Sequence, residues 1–266
     1  MNIATAHPAA ETDVAPAPWQ LKGSAFVLVL KMPDEAVADC PWTPAALRDS
    51  RRSRLSFAML VNYEDSPVGP YHELLFIPGT FAFQGGRYPS ISRILVSTQA
   101  SVDNGRRNWG IPKDRCDFRV ESQEQGVVVT ERLRDDKTPF ARLRLQGWGR
   151  TVPVATWLPR RLKALAQLWQ GRQFVLSPSA SGRMRMARVL DWQFDATQFP
   201  DLARGQCLKY LPTVVGGLPV NNNHLVDRAK QFEQGGKPGG ECVKLQARHL
   251  VVNGHNDRHR IHWANA

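Results

Sequence analysis

The chain predicts a mainly β (α+β) fold: an antiparallel barrel, closed or nearly closed, with a few peripheral helices. Three observations lead there. Short runs rich in β-branched and aromatic residues recur along the sequence, which is the composition of strands. Clusters of Gly, Pro, Asn, Asp and Ser separate them at short intervals and mark turns. A length of 266 residues with 42% hydrophobic content suffices for one sizeable core without disulfides. No internal repeat is present.

In chain order, the Ala- and Pro-rich stretch 1–18 lacks the basic-then-apolar order of a signal peptide and reads as a disordered tail. A single domain is expected over 19–243, followed by a basic extension, 244–266. Residues 24–31 read as a buried strand ended by Pro33. Asp34 is placed to cap a short helix reaching Cys40, and 44–54 reads as a linker. Residues 55–63 and 71–77 form two antiparallel strands around a turn built on Ser-Pro and Gly-Pro dipeptides. Turns follow at Pro78-Gly79 and Gln84-Gly85-Gly86, then a strand over 91–97. Ser101 and Asp103 are candidate caps for a short helix through Trp109, which Gly110 ends. Pro112 forces Ile111 into an extended conformation.

Residues 116–120, 126–133 and 138–147 read as consecutive strands. The spacing of Leu162, Leu165, Ala166 and Trp169 predicts a helix within 158–171. Residues 172–176 and 184–194 flank a small polar loop and read as a hairpin. Residues 221–224 and 234–240 are expected as loops.

The net charge of +11 raises the question of nucleic acid. The basic residues, however, alternate with apolar ones, as in Arg142-Leu143-Arg144-Leu145 and Arg183-Met184-Arg185-Met186. Such alternation places arginines on the wet face of a strand, so no nucleic-acid partner is expected. The same field favours an anionic substrate. No apolar run reaches the roughly 18 residues of a membrane span, so no membrane partner is expected. The four cysteines form no CxxC pair, and a cytoplasmic setting with reduced thiols is the default. His255, His259 and His262 lack carboxylate or cysteine partners at ligand spacing, so no metal is expected.

Two stretches carry chemistry. Val102 to Lys113 places a lysine just after a Gly-Ile-Pro corner, with Trp109, Ile111 and Phe118 nearby. Desolvation disfavours the ammonium form of a lysine held among apolar groups, and a neutral amine attacks carbonyl carbon. Ser66 to Glu73 delivers a carboxyl group at the start of an apolar run, suited to carrying a proton. The plainer alternatives are a surface lysine after a turn and a carboxylate facing solvent on an edge strand.

Gly105-Arg106 leading to Pro112-Lys113, with Gly69-Pro70-Tyr71-His72-Glu73 upstream, resembles the acetoacetate decarboxylase superfamily from about Gly23 to about Leu225. The resemblance implies a cone-shaped β-barrel with a buried pocket and a homo-oligomer. It also implies Lys113 as Schiff-base nucleophile, Glu73 as acid or base, and no metal or organic cofactor. Three positions depart from the family pattern. Asp114 stands where a second lysine follows the nucleophile, Gly23 and Ser24 where a strand arginine is found, and Ala58 where a second glutamate is found.

Tyr71, Arg106 and Trp109 are the candidate substrate-binding residues. Arg106, with Arg107, has the fork geometry for a carboxylate, against the alternative of a helix-end surface charge. Trp109 and Tyr71, like Phe26, are the kind of aromatic that fills a core. The function expected is a Schiff-base-forming lyase acting on a small oxo acid, by decarboxylation or by aldol or dehydratase chemistry. The alternative is a non-catalytic barrel that binds a small apolar or carbonyl ligand.

Overall fold

Strand pairing organises the chain. The structure, a computed structural model, describes residues 13–38, 40–123, 126–132, 139–155, 164–178, 181–207, 214–216, 223–226 and 232–233. The strands are β1 (Gln20–Lys31), β2 (Leu55–Asp65), β3 (Tyr71–Ile77), β4 (Thr80–Phe83), β5 (Gly86–Pro89) and β6 (Arg93–Val96). They continue with β7 (Lys113–Arg115), β8 (Asp117–Gln123), β9 (Gly126–Arg132), β10 (Ala141–Ala155), β11 (Leu165–Trp169) and β12 (Arg172–Pro178). The last five are β13 (Ser181–Phe194), β14 (Gln206–Cys207), β15 (Val214–Gly216), β16 (Asn223–Val226) and β17 (Phe232–Glu233). Three helices, α1 (Asp34–Ala38), α2 (Ala45–Arg48) and α3 (Gln99–Trp109), complete the described elements, with one 3₁₀ turn at Leu202–Arg204. The molecule is thus mostly β with few helices.

The main sheet runs β7-β6-β3-β2-β1-β15-β13-β10-β9-β8. No pairing among the described residues joins β7 to β8, so strand pairing alone does not close the expected barrel there. All pairs in this ladder are antiparallel except β6–β7, which is parallel. A parallel neighbour needs a crossover, and α3 supplies it between β6 and β7.

Alternation along the strands creates two apolar faces. One carries Leu28, Leu30, Ala58, Leu60, Leu74, Phe76 and Leu95, packed with Phe140, Leu143 and Leu145 of the β10 side. The other carries Tyr71, Leu75, Ile77, Ile94 and Val96, packed with Val102 and Trp109 of α3 and with Trp19. Each large aliphatic side chain fully buried here contributes about 1.5–3 kcal/mol.

Several sequence expectations need correction. Residues 165–169 form strand β11, not helix; β11 pairs in register with β12 from Leu165↔Leu176 to Trp169↔Arg172. Gln170 (φ 49°) and Gly171 (φ 73°) make the turn between them. The remainder of that expected helix, 158–163, lies outside the described residues. β12 and β13 are not a hairpin: β12 pairs with β11, β16 and β17, while β13 pairs with β10 and β15. The expected linker 44–54 contains α2, and residues 223–224 of the expected loop 221–224 belong to β16. Asp34 spends its carboxylate on Arg51 (2.6 Å) and Arg54. The histidines of 244–266 and the loop 234–240 lie outside the described residues. Among the described residues no helix is long and apolar enough to cross a membrane.

Candidate active site

α3 starts where Thr98, in extended backbone, accepts a hydrogen bond from the Ser101 N–H through its side chain. Ser101 and Asp103, the caps expected from sequence, lie inside the helix. The helix ends at Gly110, whose φ of 60° is left-handed and whose N–H donates to the Arg106 carbonyl at 3.0 Å. A Cβ at Gly110 would also lie 2.4 Å from Phe174, so a non-glycine residue is excluded twice. Three residues later Lys113 opens β7, opposite Ile94 of β6.

Register brings the two sequence motifs together. Glu73 of β3 pairs with Val96 of β6, and Lys113 pairs with Ile94. Val96 and Ile94 are two residues apart, so all four side chains leave the same face of the sheet. Lys113 Nζ donates to Glu73 Oε2 at 2.9 Å and to Ser101 Oγ at 3.0 Å. The two charged side chains are only 4% and 6% exposed. Nζ also lies 5.1 Å from the centroid of the Tyr71 ring, within cation–π range. Tyr71 in turn packs on Tyr63, ring centroids 4.6 Å apart. Burial pushes both phenols well above their ordinary range, and the Glu73 carboxylate adds to the effect.

Gly105 makes room for the lysine. A Cβ there would sit 2.6 Å from Lys113 Cδ and 2.8 Å from Cε. The aliphatic stem therefore lies directly on the helix backbone. Ser101 and Gly105 are four residues apart, hence on one face of α3, and together they form the roof over the pair. Ser101 was missed as a site residue; its i,i+4 relation to the glycine of the Gly-Arg pair is the signal that identifies it.

Asp114 points the other way, as its place beside Lys113 in a strand requires. It binds Arg93 and, at 2.7 Å, Arg106. Arg106 also lies 5.4 Å over the Trp169 ring. Its charge is thus engaged by Asp114 and not directed at the lysine. Trp109 is 2% exposed and meets Trp19 edge to face at 4.8 Å, which makes it a core residue behind the helix.

Two departures from the family pattern have structural reasons. A Cβ at Gly23 would lie 2.0 Å from the Asn62 carbonyl oxygen, so no side chain fits there. Ala58 pairs with Phe76 and is buried in the core on the opposite face from Glu73.

Of the segment expected as a tail, residues 13–18 lie along α3. The Ala15 N–H donates to Asn104 Oδ1 at 2.9 Å, and Asn104 Nδ2 donates to the Asp13 carbonyl at 3.0 Å. Asn108 Nδ2 and Trp19 Nε1 both donate to the Ala15 carbonyl.

Comparison with solved structures identifies the architecture. Acetoacetate decarboxylase from Legionella pneumophila subsp. pneumophila str. Philadelphia 1 superposes with a TM-score of 0.52 at 10% identity, covering 84% of this chain and 93% of that one. The fold is that of acetoacetate decarboxylase. A second acetoacetate decarboxylase structure gives a TM-score of 0.51 at 13% identity, over 83% of this chain and 91% of the other. The enduracididine biosynthesis enzyme MppR, with HEPES bound, gives 0.51 at 10% identity over 83% and 89%. At such identities the likeness is one of fold. No family model and no curated protein sequence matches the chain.

Described residues border a cavity of about 180 Å³ at His72 and another of about 320 Å³ at Arg106 and Trp169. Neither has Lys113 or Glu73 in its walls. The pair is covered by α3 and packed against Tyr71.

Proposed function

We propose that this protein is a Schiff-base-forming lyase in which Lys113 is the nucleophile and Glu73 its proton partner, acting on a small oxo acid within a barrel of the acetoacetate decarboxylase type. The observation that carries the proposal is the buried Lys113–Glu73 contact at 2.9 Å. Two groups from distant sequence motifs meet in an apolar setting, where a charge is expensive unless paired or neutralised.

Transfer of a proton from Nζ to Glu73 leaves a neutral amine and a carboxylic acid, with no net charge buried. The amine adds to the ketone carbon, and the resulting carbinolamine loses hydroxide as water, taking the proton from Glu73. The iminium ion then accepts the electron pair released when carbon dioxide departs, or when an α proton is removed, and becomes an enamine. Protonation at carbon and hydrolysis of the imine return the free lysine. In the aldol or dehydratase variant the enamine carbon bonds to a second carbonyl before hydrolysis. Ser101 Oγ, 3.0 Å from Nζ, is placed to hold the amine towards the reacting carbon. With no room for a side chain at Gly23 and Arg106 engaged by Asp114, decarboxylation and condensation share the proposal.

A second reading is a ligand-binding protein in which Lys113 and Glu73 form a structural ion pair. The burial of both side chains, 4% and 6% exposed and in direct contact at 2.9 Å, favours it. Borohydride reduction in the presence of pyruvate or acetoacetate separates the two. The enzyme reading expects the mass of the reduced adduct on Lys113 and none in Lys113→Ala. A folded protein that gives no adduct with either compound supports the structural ion pair and rejects the lyase.

A further inference from the structure

On the opposite side of the sheet from Lys113, three polar side chains stand in a row across three strands. Ser24 of β1 pairs with Asn62 of β2, which pairs with His72 of β3. They therefore share one face as nearest cross-strand neighbours. All three are half-buried, and none of their side chains hydrogen-bonds a described residue. His72 Nδ1 is fully enclosed without a partner. A polar atom withdrawn from bulk water is normally satisfied, so the enclosed His72 Nδ1, with no partner among the described residues, marks this face, and Ser24 and Asn62 stand beside it on the same side of the sheet.

They border the cavity of about 180 Å³, whose other walls are Phe26, Leu60, Val61 and Val120. Phe118 lies 5.8 Å from the imidazole on the β8 side. The cavity thus sits at one end of the apolar core between the β1–β3 meander and β8. Apolar walls with a few convergent polar groups characterise small-molecule sites.

We propose that this cavity binds a small neutral molecule with a compact apolar body and one hydrogen-bonding end, such as a monocyclic alcohol, at a site separate from Lys113 and Glu73. Neutrality follows from the lining. No charged side chain among the described residues borders the cavity, so a carboxylate would lose its water without gaining a counter-charge. Burial also holds the His72 imidazole below its ordinary pKa, which keeps that wall uncharged. A hydroxyl both donates and accepts, and so suits Ser24, whose hydroxyl does the same, and Asn62, which offers a carbonyl and an amide. Because His72 precedes Glu73 in β3, the sheet separates this ligand from the lysine. The proposal does not depend on the lyase reading.

The test is an NMR titration of the full chain with benzyl alcohol and cyclohexanol, and with benzoate as the charged counterpart. Expected are saturable shifts at the His72 imidazole with both alcohols and weaker binding of benzoate. Asn62→Leu should weaken alcohol binding about 2- to 10-fold, the effect of one neutral hydrogen bond. Val120→Trp plugs the cavity from a position that is 37% exposed, and should abolish binding while the fold, followed by circular dichroism, persists. Lys113→Ala should leave the alcohol affinity unchanged. The proposal is overturned if neither alcohol saturates the folded protein, if benzoate binds as well as benzyl alcohol, or if Val120→Trp binds like the parent.

Discussion

Gly105→Ala isolates the fit between α3 and the lysine. The new methyl carbon would lie 2.6 Å from Lys113 Cδ and 2.8 Å from Cε, against a comfortable carbon–carbon separation of about 3.5 Å. The lysine stem is the softer partner, so it should retreat by about 1 Å, the difference between those separations. Hydrogen bonds of 2.9 and 3.0 Å to Glu73 and Ser101 stretched by that much are no longer hydrogen bonds. Misplacing a reacting group by about 1 Å costs on the order of 100-fold in rate. Meanwhile alanine is the better helix former by about 0.8–1 kcal/mol, which offsets part of the crowding. The expected result is a folded protein with a lowered urea midpoint, since the buried pair loses its hydrogen bonds, and with the rate of borohydride-trapped adduct formation on pyruvate down about 100-fold. A folded Gly105→Ala protein that traps at the wild-type rate would refute the idea that the helix aims the amine.

The remaining predictions concern charge. Glu73→Gln leaves the Lys113 ammonium buried without its counter-ion and should cost about 3–5 kcal/mol, read from urea denaturation. Tyr63 and Tyr71 should ionise well above pH 10, visible as delayed phenolate absorbance relative to the unfolded chain. Their native pKa values are raised, so their contribution to stability is intact below about pH 10 and is lost as pH rises through the native values. Stability that does not fall above pH 10 would contradict this.

The Lys113–Glu73 contact of the candidate site was legible because it joins two short motifs, each next to a turn that fixes it. Pro112 and Gly110 locate the corner before Lys113, and the Ser-Pro and Gly-Pro dipeptides locate the turn before Tyr71. What could not be read is which face each strand presents to which partner. Ser101 is one example: its backbone N–H is tied to Thr98 while its side chain is recruited by a lysine from a strand. β11 is another, since Leu165, Ala166 and Trp169 fit a helical stripe equally well in a short window. Pairing with β12 decided it, and the Gln170-Gly171 turn was the only local hint. The length of β13 likewise follows from its long match to β10, a non-local contact that the small loop after β12 does not encode. Arg106 looked free to meet a substrate because Asp114, eight residues on, gave no sign that it would fold back to the helix.

The clasp of residues 13–15 on α3 has a practical side. A clone started at the first strand would discard the segment that satisfies Asn104 and Asn108, two amides on the helix that roofs the lysine. Trp109 would lose its Trp19 partner as well, leaving the roof to its caps, Val102 and the Arg106–Asp114 ion pair. Any purification tag spliced into that stretch would act, through one helix, on an amine almost a hundred residues away.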